Sequence, residues 1–312
     1  MRLAFVACVE PGRLEAQGVM LFESIRAFAG RFAGAPILSF QPREPEPLAR
    51  ATRDALRRLE VEHRVEPLNR EFAAIPVANK LFATAWAEAH LDVDVVVFLD
   101  SDTFFCGEPA ELALSPDTAA AVRPANKKNV ASSGPDDRKD GYWQKVYALC
   151  GVPEPPFVET TVDRQRVRAY WNAGLMAFRR SEGLAERWLA CFRSLLEANH
   201  LPYNGVKNAD QVALAAALAS VAERVDVLDP RYNYPLPKRA QLPEPWRDAP
   251  LEALRHVHYF RWFNKPGFLD AIDPPLAADS PLRAWLAERL PLTPFVEDPS
   301  RKQAPPVRSP AR

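Results

Sequence analysis

The sequence lacks the glycine-rich motifs of two large classes of nucleotide-binding protein. Its 312 residues contain no GxGxxG, no GxxxxGK followed by serine or threonine, and no internal repeat. Those two motifs provide the tight turns and backbone amides that hold phosphates in dinucleotide-binding Rossmann domains and in P-loop NTPases. Their absence argues against both classes.

Long hydrophobic runs and closely spaced cysteines are also missing. The apolar run at residues 3–9 is too short for a signal peptide or a membrane span, and Glu10-Pro11 ends it. The four cysteines include no CxxC pair, which argues against a zinc site or a disulfide framework. We therefore expect a cytoplasmic protein without a transmembrane segment.

Neither sign of charge is in excess. The 40 basic and 40 acidic residues cancel, so no global field favours nucleic acid or an anionic membrane, and local groups must hold any anionic ligand. We expect no nucleic-acid partner. With 47% hydrophobic residues, the chain can bury one large core or two closely packed lobes.

Strand and helix patterns alternate along the chain, which is typical of βαβ units and a mostly parallel sheet. Strands are predicted at 3–9, 36–40, 61–65, 93–99, 170–178, 225–228 and 256–260. Helices are predicted at 16–28, 47–59, 78–90, 184–196 and 210–220. The sequence therefore predicts an α/β fold with helices flanking a central sheet.

Two segments depart from this alternation. Residues 124–167 are polar, contain proline and show no clear period, so we interpret them as a long insertion over one end of the sheet. Residues 291–312 are rich in proline with few apolar residues, which predicts a disordered tail. We expect one domain over residues 1–290.

An acidic triplet, Asp100-Ser101-Asp102, follows the valine-rich strand predicted at 93–99. Open α/β sheets bind ligands at the carboxyl ends of their strands, and residues two apart on an extended chain project to the same face. Asp100 and Asp102 can thus converge on one hard cation, Mn²⁺ or Mg²⁺, able to bridge a diphosphate. The alternative is a solvated turn, because Asp and Ser favour turn starts.

Three shorter patterns accompany the triplet. Lys80 opens the helix before the acidic strand, near the same sheet edge, although a solvated helix lysine is the alternative. Gly174, in the stretch Asn172-Ala173-Gly174, marks a bulge, a close approach by a ligand, or simple packing. Asp210-Gln211 begins a helix, and the alternative for Asp210 is that its charge only stabilises the positive end of the helix dipole.

His258 lies in the last predicted strand, and Lys265-Pro266 follows it. A neutral imidazole can complete a site begun by two carboxylates, because it suits Mn²⁺. A lysine near a diphosphate supplies charge to the leaving group. The alternative for His258 is a buried histidine satisfied by the backbone.

The order of these patterns resembles the retaining glycosyltransferases of the GT-A fold, the group that contains glycogenin and bacterial lipopolysaccharide galactosyltransferases. The resemblance covers about residues 3 to 270 and includes Lys80, the Asp-x-Asp triplet, the Asn-x-Gly strand, Asp210-Gln211 and the strand with His258. Two positions differ: Arg261 replaces the family's usual glycine, and the loop from His258 to Lys265 is one residue longer.

The resemblance implies transfer of a sugar from a UDP-sugar donor to a saccharide, lipid-linked or protein acceptor, with retention of configuration. It implies Mn²⁺ bound by Asp100, Asp102 and His258, with Lys80 and Asn172 holding the donor sugar and Asp210 near its anomeric carbon. The implied catalytic residues are Asp210, Gln211 and Asn172. The implied donor-binding residues are Cys8, Val9 and Glu10 at the base, with Lys80, Asp100, Ser101, Asp102, Gly174 and Lys265.

Two other functions fit the triplet. In a phosphatase of the haloacid dehalogenase type, Asp100 would be the nucleophile and Asp102 the acid, but the adjacent acidic pair that could hold its Mg²⁺, Asp136-Asp137, follows no predicted strand. A non-catalytic nucleotide-sugar-binding module would show the same metal site without turnover.

Overall fold

The computed structural model describes residues 1–43 and 46–293. Its strands are β1 (Leu3–Cys8), β2 (Ile37–Gln41), β3 (Val61–Val65), β4 (Val95–Leu99), β5 (Thr103–Phe105), β6 (Ala120–Pro124), β7 (Phe157–Glu159), β8 (Arg166–Arg168), β9 (Trp171–Arg179), β10 (Val225–Val227), β11 (Tyr234–Pro235) and β12 (His256–His258). Its α-helices are α1 (Arg13–Phe28), α2 (Arg50–Arg58), α3 (Asn79–His90), α4 (Asp140–Cys150), α5 (Leu184–Glu197), α6 (Ala209–Ala219), α7 (Phe268–Ala271) and α8 (Pro281–Ala287).

Seven strands form the central sheet in the order β10-β6-β9-β4-β1-β2-β3. All of its pairs are parallel except those of β9, which runs antiparallel to both β4 and β6. The predicted α/β class with a mostly parallel sheet is confirmed, and every predicted strand and helix is found with its ends within three residues of the predicted ones.

Both faces of the sheet are covered, which explains the continuous apolar run in β4. Val96 and Phe98 pack in the cluster that includes helices α3, α5 and α6. Val95, Val97 and Leu99 pack on the opposite face with residues of α1 and α2. Successive side chains of a strand point to opposite faces, so a strand buried on both sides needs apolar residues throughout.

A second, three-stranded sheet has the order β11-β12-β5. Strand β5 begins directly after the acidic triplet and pairs antiparallel with β12, so that Thr103 lies opposite His258. Phe104, Val257 and Tyr259 are fully buried in the hydrophobic cluster under this sheet. This packing connects the end of β4 to a strand more than 150 residues away in the chain.

The insertion at 124–167 contains regular structure that the sequence analysis missed. Helix α4 buries Trp143, Val146 and Tyr147 along one face, and strands β7 and β8 form a hairpin. The buried Asp140 accepts a hydrogen bond from Arg168 Nε at 2.8 Å and ties the helix to β8. Three buried apolar residues in a helix of 11 are too few for a clear period against polar surroundings.

The predicted tail begins inside the described chain. Leu292 is buried, and its backbone amide donates to Phe263 O at 2.7 Å. Residues 294–312 lie outside the described residues, so the predicted disorder stays a prediction there. Within residues 1–43 and 46–293, no helix is long and apolar enough to cross a membrane.

Candidate active site

The acidic triplet forms a half-buried turn at the carboxyl end of β4. The amide of Asp100 donates to Gly174 O at 2.9 Å, and Thr103 Oγ1 donates to Asp100 O at 2.6 Å. These bonds tie the triplet to β9 on one side and to the start of β5 on the other. Asp100 and Asp102 are thereby held at the edge where ligands bind in open α/β sheets.

His258 reaches this turn through the pairing of β12 with β5. Its Nε2 lies 3.0 Å from Asp102 Oδ1. Burial alone would raise the pKa of Asp102. The neighbouring His258 and Lys80 lower it by more than burial raises it, so the pKa of Asp102 lies below its ordinary value. Ligand atoms of Asp100, Asp102 and His258 lie within 4.8 Å of one another. The structure therefore brings together the three residues predicted to hold a metal.

The other ring nitrogen of His258 contacts a residue that the sequence analysis missed. Its Nδ1 lies 3.2 Å from Asn233 Oδ1, and Asn233 Nδ2 donates to Asn172 Oδ1 at 2.7 Å. An amide oxygen only accepts, so this contact is a hydrogen bond in the tautomer with a proton on Nδ1, and that is the neutral tautomer that can bind a metal through Nε2. Asn233 is fully buried with a positive φ of 46°, a conformation that asparagine tolerates better than most residues.

Gly174 leaves room for this hydrogen-bonded pair. A Cβ built at position 174 would lie 2.9 Å from both Asn233 Nδ2 and Asn233 Oδ1 and 3.1 Å from His258 Nδ1. The close neighbours of this glycine are thus two protein side chains, as in the packing alternative, and contact of Gly174 with a ligand stays a prediction. Gly174 N also donates to Asn172 Oδ1 at 3.1 Å.

Phe260 is a second residue that sequence reasoning missed. Its ring stacks on the imidazole of His258 with centroids 3.9 Å apart and planes inclined by 7°. Its backbone has φ 53°, which is a strained conformation for a bulky residue. A positive φ leaves no signal in the sequence when the residue is not glycine or asparagine.

Lys80 joins the metal-ligand group to Asp210. Its ammonium lies 2.8 Å from Asp100 Oδ1 and 3.4 Å from Asp210 Oδ2, and it donates to Ala173 O at 3.2 Å. Burial lowers the pKa of Lys80, but the two carboxylates outweigh that effect and the pKa lies above its ordinary value. Lys80 is therefore a fixed cation between two carboxylates, whereas the alternative interpretation made it a solvated helix residue.

Asp210 is buried at the start of α6. Burial raises the pKa of Asp210. The Lys80 ammonium lowers this pKa and the charge of Asp100 raises it, and the pKa of Asp210 lies above its ordinary value. Its Oδ1 is buried and has no hydrogen-bond partner in the described part of the chain. An orphaned buried carboxylate oxygen beside a cation is a feature that a bound ligand would explain.

The end of β1 lies close to this group. Burial raises the pKa of the Cys8 thiol, and the charges of Glu10, Lys80 and Asp100 also act on it. Val9 is buried, and its amide donates to Phe40 O at 2.9 Å. The Glu10 carboxylate accepts from Arg43 Nε at 2.9 Å. Contact of this strand end with a nucleotide base stays a prediction.

Gln211 and Lys265 are two further residues of the predicted site. Gln211 is half-buried next to Asp210 on α6. Lys265 is exposed, with its ammonium 5.1 Å from the centroid of the Trp262 ring. Across residues 1–43 and 46–293, it forms no ion pair with the site, and its role at a diphosphate stays a prediction.

Solved glycosyltransferase structures share this fold. The apo structure of the bifunctional glycosyltransferase WbbM matches with a TM-score of 0.56 at 16% identity, covering 93% of this chain and 52% of that one. This chain thus spans about half the length of WbbM. The galactosyltransferase LgtC, solved with donor and acceptor sugar analogs, matches with a TM-score of 0.50 at 16% identity, covering 93% of this chain and 96% of LgtC. These likenesses show the GT-A fold.

The sequence comparison identifies the class and then the family. The family model of the Rhodobacterales glycosyltransferase domain matches residues 5–222, which is more than half of the chain. Fold and sequence together define a glycosyltransferase of the GT-A type, as predicted. The chain belongs to the Rhodobacterales glycosyltransferase domain family. Among curated proteins, none matches it by sequence.

Proposed function

We propose that the chain transfers a sugar, with retention, from a UDP-sugar donor to an acceptor in a reaction that depends on Mn²⁺ bound by Asp100, Asp102 and His258. One observation carries the proposal. Three ligand atoms, two from the turn after β4 and one from β12 of the second sheet, lie within 4.8 Å of one another at the ligand-binding edge of a glycosyltransferase fold. Two atoms bound to one such cation at about 2.1 Å are separated by up to roughly 4.2 Å, so atoms at most 4.8 Å apart need to move closer by no more than about 0.6 Å to share the cation.

The three metal-ligand side chains fit a hard or intermediate divalent cation. Two carboxylates and one imidazole suit Mn²⁺, and the same oxygens suit Mg²⁺. The hydrogen bond from His258 Nδ1 to Asn233 fixes the ring with Nε2 towards Asp102. Asp100, Asp102 and His258 would hold such a cation, which would supply positive charge to offset the negative charge on the departing nucleotide.

Three side chains are suited to hold the donor sugar. Lys80 provides a buried ammonium, and Asp210 Oδ1 is a buried acceptor without a partner in the described residues. Asn172 uses its oxygen for Asn233 and Gly174, which leaves its amide NH₂ for a sugar hydroxyl. We propose that Asp210 faces the anomeric carbon and stabilises the positive charge that develops there in an oxocarbenium-like transition state.

Isothermal titration calorimetry of UDP with Mn²⁺ and with EDTA tests the metal site. Asp102→Asn should weaken Mn²⁺-dependent UDP binding by more than about 100-fold, because even residues that only support a ligand contribute about 10–100-fold. The matched control is Asp136→Asn, an exposed acid in the insertion. Equal UDP affinity in Mn²⁺ and EDTA would contradict the proposal.

The same control addresses the phosphatase alternative, in which the Asp136-Asp137 pair would hold Mg²⁺. The carboxylate of Asp137 instead forms an ion pair with Lys128 at 2.6 Å and accepts from the amides of Ser133 and Lys139. All of these partners belong to the insertion itself. Full activity of Asp136→Asn is expected for a glycosyltransferase.

Turnover separates the enzyme from a binding module. UDP release from a panel of UDP-sugars with Mn²⁺, lost in Asp102→Asn, supports transfer. Donor binding without release supports a module that kept the metal site.

A further inference from the structure

A buried cation lies beyond the site described above. Arg123, in β6, is 1% exposed. It donates to Thr161 Oγ1 at 2.6 Å and to Asn126 Oδ1 at 2.8 Å, while its Nε has no partner. Burial lowers the pKa of Arg123 to about 9, so the group remains charged at neutral pH. In the part of the chain that the structure describes, no carboxylate pairs with it, although an unpaired buried charge is costly.

Two lysines lie close to this arginine. Lys127 and Lys238 are half-buried, and the side-chain ammonium of neither lysine forms an ion pair or a hydrogen bond within residues 1–43 and 46–293. Burial lowers the pKa of Lys238, and the charges of Lys127 and Arg123 lower it further, opposed by Asp163. We call Arg123, Lys127 and Lys238 the cationic cluster.

Asp163 does not neutralise the cationic cluster. It is one carboxylate against three cations, and its Oδ2 accepts from the backbone amide of Lys128 at 3.0 Å. Its Oδ1 accepts from the hydroxyl of Thr160. The cationic cluster therefore keeps a net positive charge in a partly desolvated place, where an added anion would be bound strongly.

Pairing within both sheets places the cationic cluster beside the metal ligands. Strands β6 and β4 are both antiparallel to β9, so their carboxyl ends share one edge. Lys127 follows Ala125, whose amide donates to Tyr170 O at 2.9 Å, just before β9. Pro235 of β11 lies opposite His258, and Lys238 comes three residues later.

The strand order assigns the cationic cluster to a position past the donor sugar. Along the edge, β1 precedes β4 with the acidic triplet, then β9 with Asn172, then β6 with Arg123. In the proposed function, the base lies at β1, the diphosphate at β4 and the sugar at β9. The next position along this edge, at β6, is where an acceptor would approach.

We propose that the acceptor is an anionic saccharide, and that Lys127 and Lys238, with Arg123 behind them, bind its phosphate or carboxylate group. This inference rests on the proposed function. In the transfer, an acceptor hydroxyl oxygen bonds to the anomeric carbon, and the bond from that carbon to the phosphate oxygen of UDP breaks. Its electron pair leaves with UDP, and the hydroxyl proton passes to the released diphosphate.

The test measures binding to the protein saturated with UDP and Mn²⁺, so that the donor site is filled. Glucose, glucose 6-phosphate and glucuronate are titrated by calorimetry as a matched set. At least one charged sugar should bind about 10-fold or more tightly than glucose, in line with charge-assisted hydrogen bonds. The two charged sugars distinguish phosphate from carboxylate. Equal affinity for all three sugars, or no binding of a charged sugar, would overturn the inference.

Variants locate the binding group. Lys238→Glu and Lys127→Glu should each reduce the preference for the charged sugar by about 10-fold or more, whereas Lys145→Glu, an exposed lysine on α4, should not. If Lys238→Glu instead weakens UDP itself, the cationic cluster serves the donor and the inference is wrong. If UDP fails to bind the unmodified protein, the proposed function is wrong, and the inference that rests on it is wrong as well. Arg123→Met is informative only where thermal unfolding shows an intact fold, and the two lysine variants do not depend on it.

Discussion

A methyl group at position 174 should disturb the side chains that position His258. In Gly174→Ala, the new Cβ would lie 2.9 Å from two atoms of the Asn233 amide and 3.1 Å from His258 Nδ1. Asn233 is fully buried, and its amide is already bonded to Asn172 and His258, so it cannot rotate away without losing these bonds. The variant must therefore shift the support of a proposed metal ligand.

Two magnitudes follow from this contact. Overpacking of a well-packed site costs typically about 1–3 kcal/mol of folding free energy. For a domain of this size, that corresponds to a decrease in Tm of roughly 2–6 °C. Displacing the support of a metal ligand costs about 10–100-fold in metal affinity.

The assay combines thermal unfolding without metal and titration of Mn²⁺ in the presence of UDP. Gly141→Ala is the matched control, because a Cβ at Gly141 meets nothing within 4 Å and the residue lies in α4. Replacing a helical glycine by alanine should be neutral or stabilise by up to about 1 kcal/mol. A Gly174→Ala protein with unchanged Tm and unchanged Mn²⁺ affinity would refute the reasoning.

Three further predictions concern the neighbouring side chains. Asn233→Ala should weaken Mn²⁺ binding about 10–100-fold, measured by calorimetry, with Asn233→Asp partly restoring it because a carboxylate oxygen also accepts from His258 Nδ1. Lys80→Met removes the cation shared by Asp100 and Asp210, and at pH 7 should cost about 3–5 kcal/mol in urea unfolding without metal. Lys80 lowers the pKa of Asp210 against the effect of burial, so without Lys80 that pKa rises further and the folded variant binds more protons than the folded unmodified protein. The loss should therefore shrink as the pH falls towards 5; a constant loss would contradict it. Asp210→Asn should lower kcat for UDP release by about 100-fold or more while UDP affinity changes little; unchanged kcat would exclude its role.

Local pattern alone predicted six of the seven strands of the central sheet and the position of the acidic triplet, but it missed β6 (Ala120–Pro124). A strand buried on both faces must be apolar throughout, and β4 is visible for that reason. The placement of Asp100 and Asp102 at the end of that strand follows from neighbouring residues in the chain. Helix α4, in contrast, buries only a short apolar face and was missed within the insertion.

His258 joins the triplet only through tertiary structure. The resemblance to a family predicted its role, but the physical cause is the antiparallel pairing of β5 with β12, which sets Thr103 opposite His258. Nothing in the local sequence of either strand specifies that partner. The register is determined by the burial of Phe104, Val257 and Tyr259 in one hydrophobic cluster.

The roles of Asn233 and Gly174 were likewise decided by tertiary structure and not by the local sequence. Their residue types are compatible with many roles, and their function emerges from the distance between side chains of three strands or strand ends. The sequence by itself determined the α/β fold and the acidic edge, because alternation and apolar runs act over a few neighbouring residues. Tertiary structure decided the histidine, its supporting amide and the cationic cluster, because these contacts join segments far apart in the chain.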